Sequence, residues 1–166
     1  GMSGHQRSGR RLTPHLHSEF HSGCPTVRPK NGEDRGQLIM ACGTGKTMVS
    51  LWVHEALKSK RTLVLAPSLS LLKQTISEWI ANTAEPFEFL PVCSDQTVAD
   101  KDALVGYVAD LGYPATGSAE DVAAFLRKRK PRVVFSTYQS SPVVAQALKD
   151  SPKFDLVIAD EAHRCA

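Results

Sequence analysis

The 166-residue chain has no cysteine pair at C-x-x-C spacing; Cys24, Cys42, Cys93 and Cys165 are scattered along it. Such spacing argues for free thiols over a disulfide framework, and with it for a reducing compartment. Nor is there an apolar run near the roughly 18 residues that a membrane span needs, and the N-terminus lacks the apolar centre of a signal peptide. The expectation is a cytoplasmic protein with no membrane partner. Net charge is only +3, too little to argue for a nucleic-acid partner by itself. No internal repeat is visible. What is present, 42% hydrophobic and 22% charged residues, is the composition of one globular domain with a core of its own.

Residues 1–35 are poor in apolar side chains and rich in Gly, Ser, Pro, His and Arg, and are expected to form a flexible basic arm outside that core. Its six Lys/Arg against three acids suit a solvated tail, or a non-specific contact with a phosphate backbone. His15, His17, His21 and Cys24 match no zinc-site spacing.

Residues 36–166 carry the chemistry, and they are organised around QLIMACGTGKT at 37–47. Leu38 to Ala41 read as a buried strand. Gly43 and Gly45 let the backbone curl so that several N–H groups point inward, and a helix is expected from about Lys46. A helix N-terminus aimed into such a curl is an anion site. The nucleotide-binding set is therefore Gly43, Thr44, Gly45, Lys46, Thr47 and Met48: the Lys46 ammonium would reach the β- and γ-phosphates, and the Thr47 hydroxyl would hold Mg²⁺. Met40 occupies the first glycine position of the strict pattern G-x-x-x-x-G-K-[ST].

Downstream, Met48, Val49, Trp52, Val53, Ala56 and Leu57 recur at helical spacing and predict one inward face, with Trp52 in the core. Residues 62–66 (TLVLA) predict a strand, followed by a helix capped by Ser68 or Ser70 that turns Leu72, Ile76, Trp79 and Ile80 inward. Phe87–Cys93 is a weaker strand with Pro86 and Pro91 at its ends, and 94–117 is an irregular excursion with a helical stretch over 100–109. Ser118 opens a helix ending in the basic run Arg127–Lys130. Arg132–Ser136 is the next strand, then a helix over about 142–149, then the strand Phe154–Ala159. Alternating strands and helices of this kind build a parallel sheet.

In an open parallel sheet, ligands gather at the carboxyl ends of the strands. Both the glycine loop and Asp160-Glu161 follow apolar strands there. Asp160 is placed to complete the Mg²⁺ shell begun by Thr47, and Glu161 to polarise the water that attacks a γ-phosphate. The expected catalytic set is Lys46, Asp160 and Glu161.

ACGTGKT, LVLAPS, FSTYQS and IADEAH, in this order, resemble the first RecA-like domain of superfamily-two helicases and translocases. The resemblance is strongest to the motor domains of restriction-enzyme subunits and related DEAD/DEAH-box proteins, and it covers about residues 36–166. It implies a P-loop three-layer α/β sandwich with a mainly parallel sheet, ATP and Mg²⁺ as ligands, and a nucleic-acid partner, DNA over RNA. It assigns His163 to coupling between nucleotide state and a partner domain. Pro67, Ser68, Thr137 and Tyr138 are assigned to the sugar-phosphate backbone of one strand, where residue chemistry alone makes Ser68 a helix cap and Tyr138 a half-buried aromatic. No adenine-selecting glutamine is found ahead of the loop. The chain ends three residues after His163, so the resemblance also implies a domain truncated after the DEAH motif. Its sheet is then incomplete at the C-terminus, its second RecA-like domain and arginine finger are missing, and its isolated turnover is slow, since such a finger contributes about 10³–10⁵ in rate. Two alternatives stand beside an ATP-hydrolysing motor domain: a non-hydrolysing nucleotide- or nucleic-acid-binding module, and a small-molecule phosphotransferase.

Overall fold

The computed structural model describes residues 39–40, 43–93 and 112–161. The chain divides into two units at Met40/Ala41. Of the first, only Ile39 and Met40 are described, and neither lies in a strand. The expected strand over Leu38–Ala41 is thus not seen at those two positions, and its other residues lie outside the described ones, as do the arm and the helical stretch expected at 100–109.

The second unit alternates helix and strand: α1 (Lys46–Ala56), β1 (Arg61–Ala66), α2 (Leu69–Asn82), β2 (Glu88–Val92), α3 (Ala119–Leu126), β3 (Arg132–Thr137), α4 (Ser141–Ala147) and β4 (Leu156–Ala159). A 3₁₀ turn, Tyr138–Ser140, leads into α4. The strands form one parallel sheet in the order β2-β3-β1-β4. β3, the most completely buried strand, sits inside, and all six of its residues are buried. Its centre, Val133 to Phe135, is the apolar run expected of a strand covered on both faces, while Arg132, Ser136 and Thr137 at its ends are buried with hydrogen-bond partners.

Alternation along the strands sends side chains to two separate cores. Val64, Ala66, Val133 and Phe135 face α1 and α2, where they meet Leu51, Leu72, Ile76 and Trp79. Leu63, Val92 and Val134 face α3 and α4, where they meet Val122, Leu126, Val144 and Ala147.

Two helix faces differ from expectation. In α1 the buried residues are Val49, Leu51 and His54; Trp52 and Val53 are only half-buried and Leu57 is exposed. The true inward line runs through a histidine, which hydrophobic spacing alone reads as outward-facing. His54 is tolerated because its Nδ1 lies 2.8 Å from Thr62 Oγ1, whose own proton goes to Ser59 Oγ at 2.9 Å, so that a proton on Nδ1 satisfies this ring nitrogen. Its ring also lies 5.4 Å from that of Trp79. In α2, Thr75 is buried and Ile80 is exposed.

Pro91 lies inside β2 rather than at its end. That is permitted because β2 borders the sheet, so one side of its backbone needs no ladder donor. There the Pro91 carbonyl accepts from Thr116 N at 3.0 Å. α3 ends at Leu126, and the basic run forms the turn beyond it instead of its last helical turn.

The β1–β4 register is fixed at its start. Asp155 accepts from the amides of Lys60 (2.8 Å) and Arg61 (2.6 Å), just ahead of the first paired residues, Thr62 and Leu156. Burial pushes the Asp155 carboxyl up, but hydrogen bonds from these two amides, from its own amide and from the Ser59 hydroxyl together outweigh it and hold the carboxyl below the usual carboxylate range.

Candidate nucleotide-binding site

The glycine loop has the backbone that its residues demand. Gly43 and Gly45 sit at φ 79° and 88°, in the left-handed region where only glycine is unstrained. A Cβ built on either would meet nothing within 4 Å, so the constraint is backbone conformation and the curl is open. Gly45 caps α1, which starts at Lys46 as expected, and the Gly45 carbonyl takes the first helical bond from Val49 N at 3.1 Å. The early amides of α1 therefore open towards the loop.

Lys46 Nζ lies 2.7 Å from Glu161 Oε1, across 115 residues of sequence. Both side chains are half-buried, at 32% and 24% exposure, so the pair is shielded without being sealed from water. Glu161 stands at φ 53°, an unusual backbone for a residue with a side chain. Non-glycine residues held there cost roughly 1–2 kcal/mol, and such strain gathers where a side chain must be aimed. The turn begins directly after β4, whose ladder closes with Asp160 N donating to the Leu65 carbonyl at 2.9 Å.

Two further contacts hold the halves of the site. Tyr138 Oη donates to the Asp160 carbonyl at 2.6 Å, tying the end of β3 to the end of β4. Trp79, fully buried, reaches up from α2 so that its indole N–H points at the Thr47 carbonyl and at Ser50 Oγ, each 3.2 Å away. Ser50 Oγ donates to the same carbonyl at 2.6 Å. The first turn of α1 is thus fastened to the core beneath it.

Of the residues the resemblance assigns to nucleic acid, Ser68 is exposed and caps α2, accepting from Leu71 N at 3.3 Å. Pro67 beside it is half-buried. Thr137 is buried, its hydroxyl 2.9 Å from Ser140 Oγ, and Tyr138 is half-buried. Thr44 is exposed, and Thr47 and Met48 are half-buried in the first turn of α1. His163 and Cys42 lie outside the described residues.

The donor types fit a magnesium-bound triphosphate: an open curl of amides, a lysine ammonium, a threonine hydroxyl at the helix start, and the Glu161 carboxylate opposite, with Asp160 next to it in sequence. Among the described residues no cluster of three His, Cys, Asp or Glu side chains could hold a metal alone.

Residues 9–166 match the family described as "Type III restriction enzyme, res subunit". The chain belongs to this family. Its fold and motifs are those of a RecA-like domain of the superfamily-two helicase type. A probable helicase, A859L, of African swine fever virus (isolate Tick/South Africa/Pretoriuskop Pr4/1996) is 33% identical over 132 residues, covering 78% of this chain and 14% of the viral protein. The solved Type ISP restriction-modification enzyme LlaGI, a nuclease-deletion mutant in complex with a DNA substrate mimic, is 40% identical with a TM-score of 0.63, over 80% of this chain and 13% of that one. LlaBIII, an ATP-dependent Type ISP enzyme bound to DNA, is 41% identical with a TM-score of 0.65, over 80% of this chain and 9% of that one. The chain thus spans about a seventh or less of these relatives.

For this member of the res-subunit family, sequence reasoning missed the polar ends of two aromatics. Trp79 reads as core from its helical spacing, and nothing in that spacing shows that its N–H serves the first turn of α1 after the glycine loop. Tyr138 offers one hint, a hydroxyl that needs a partner at a strand end.

Proposed function

We propose that this chain binds magnesium-ATP and hydrolyses its γ-phosphate bond as the first RecA-like domain of a cytoplasmic, nucleic-acid-dependent helicase or translocase acting on DNA. The observation that carries the reading is the 2.7 Å pair between Lys46 and Glu161, which joins the glycine loop to the acidic strand end. In this reading Gly43, Thr44, Gly45 and Met48 shape the loop around the phosphates. Thr47 and Asp160 would hold Mg²⁺, which would supply charge neutralisation for the triphosphate oxygens. The incoming γ-phosphate takes Lys46 as its partner and releases Glu161. The freed carboxylate then accepts a proton from the water that attacks phosphorus, and ADP departs with the bridging oxygen.

DNA as the partner is supported by the DNA complexes of the two solved relatives. Ser68, exposed at the carboxyl edge of the sheet, is suited to touch a phosphate, as is the neighbouring Pro67 backbone; buried Thr137 and half-buried Tyr138 would act by holding the turn after β3. His163 is the proposed coupling residue, and a second RecA-like domain, carried elsewhere in the full-length protein, the proposed partner across this edge.

Isothermal calorimetry tests the reading. Lys46→Ala should abolish magnesium-ATP binding, and Glu161→Gln should keep binding while losing phosphate release. Unchanged affinity in Lys46→Ala sinks the assignment.

A further inference from the structure

The charges of this domain are sorted by sheet direction. Because every strand is parallel and every helix returns antiparallel to it, the turns fall into two sets, one at each edge of the sheet. Ten of the twelve Lys/Arg among the described residues lie in or beside the turns that precede the strands, the amino edge; Lys46 and Lys73 are the exceptions. Five of the ten described acids share that edge, leaving it at net +5, against −3 for the rest of the described residues.

The turns meet physically. Arg61 and Arg132 are paired in register, Arg132 N donates to the Lys60 carbonyl, Arg61 Nε donates to the Leu126 carbonyl at 3.3 Å, and an Arg127 guanidinium nitrogen donates to the Asp150 carbonyl at 2.6 Å. Three of the five acids are engaged. Asp155 holds the amides of Lys60 and Arg61, Glu55 accepts from the Thr83 hydroxyl and the Ala84 amide, and Glu88 pairs with Arg132 and Lys130.

Four helices end at this edge, and their C-terminal dipoles attract cations. At about half a charge each, they account for roughly two of the five excess charges. Exposed Lys58, Lys60, Lys128, Arg129, Lys149 and Lys153 remain facing solvent.

We infer that the amino edge of the sheet is a second, sequence-independent binding surface for the phosphate backbone of a nucleic-acid duplex, on the side of the domain away from the candidate nucleotide site. The three spacings between four adjacent strands make the edge about 14 Å wide, and a duplex carries one charge per about 1.7 Å of axis, so about eight phosphate charges lie along that width. An acidic protein is the poorer fit. Protein interfaces are built on aromatic and apolar anchors and are depleted in lysine, whereas Leu57 is the one large apolar side chain among these turns that is more than half exposed. Choosing nucleic acid as the polyanion rests partly on the proposed function; the charge sorting does not.

Fluorescence anisotropy of the full chain with a labelled duplex of about 20 base pairs and arbitrary sequence, titrated across about 25 to 200 mM salt, tests this. The triple variant Lys128→Ala/Arg129→Ala/Lys153→Ala should bind at least tenfold more weakly at low salt, and its slope of log affinity against log salt should be shallower by about 2 to 3, at about 0.9 per lost phosphate contact. Its magnesium-ATP affinity should stay at the wild-type value, which separates this result from failure of the nucleotide reading. Unchanged duplex affinity and slope in the triple variant would overturn the inference, as would absence of duplex binding by the wild-type chain at low salt. Competition by poly-glutamate as strong as that by duplex of equal charge would overturn the choice of nucleic acid.

Discussion

The two faces of the sheet are packed with different materials. Under α1 and α2 aliphatic side chains surround a linked set of aromatic rings: Trp79 meets Phe135 edge-to-face with ring centroids 5.5 Å apart, Phe87 stands 6.0 Å from Trp79, and Phe89 stands 5.2 Å from Tyr113. Under α3 and α4 the filling is mainly aliphatic, built on Leu63, Val92, Val122, Leu126, Val134 and Val144. Aromatic rings offer directional edges and polar tips that aliphatic chains lack. The face that uses them is the one beneath the glycine loop, where Trp79 both fills the core and bonds the first turn of α1. One layer therefore combines support with aim, while the other supplies support alone.

Three experiments break or sharpen that contrast. The largest effect is expected from Trp79→Ala, which removes the centre of the aromatic layer and should cost about 3–5 kcal/mol in denaturant melts. Trp79→Phe keeps a ring there but loses the N–H; it should cost only about 1 kcal/mol while still weakening magnesium-ATP binding. Equal nucleotide affinity in Trp79→Phe and wild type would reduce the indole bond to packing. Next, Leu126→Ala, at the centre of the aliphatic layer, should cost about 3 kcal/mol and leave nucleotide affinity at the wild-type value in conditions where the variant is folded. A matching loss of affinity would erase the distinction between the faces.

The smallest effect is a pH dependence from His54. Burial holds its imidazole below the ordinary value of 6.5, against the pull of Glu55, Asp155 and Glu85. The unfolded chain therefore takes up the proton more readily than the folded one. The stability associated with neutral His54 is full above 6.5 and is lost as pH falls from there towards the folded value. Thermal melts between pH 7.5 and 5 should show this decline, and His54→Phe should flatten it; an equally steep decline in that variant would remove His54 as its source.

Much of this arrangement was legible from residue order. Glycines before Lys-Thr can do little other than curl, and α1 begins where they end. The apolar runs TLVLA and RVVFS, and LVIA of the expected FDLVIA, became strands because each is too short for a helix and is bounded by turn residues. The site was legible in part: the loop and the acid pair were expected to converge, and Lys46 and Glu161 do. The inward face of α1 was not legible, because it includes His54, whose burial depends on Thr62 and Ser59 from the next turn and strand. A pattern built on hydrophobicity cannot see a polar side chain satisfied by distant partners. Pro91 inside β2 was missed for a related reason: tolerance of proline depends on a strand's place in the sheet, which its own residues do not encode.

Asp155 lies five residues before Asp160, roughly 16 Å along an extended chain. By gripping the amides of Lys60 and Arg61 at the start of β1 it opposes a one-residue slide of β4, and such a slide would turn every β4 side chain to the opposite face. A carboxylate at the opposite edge of the sheet from the candidate nucleotide site thus helps to sight the two beside that site: remove the grip, and the line from Glu161 to Lys46 loses one of its anchors.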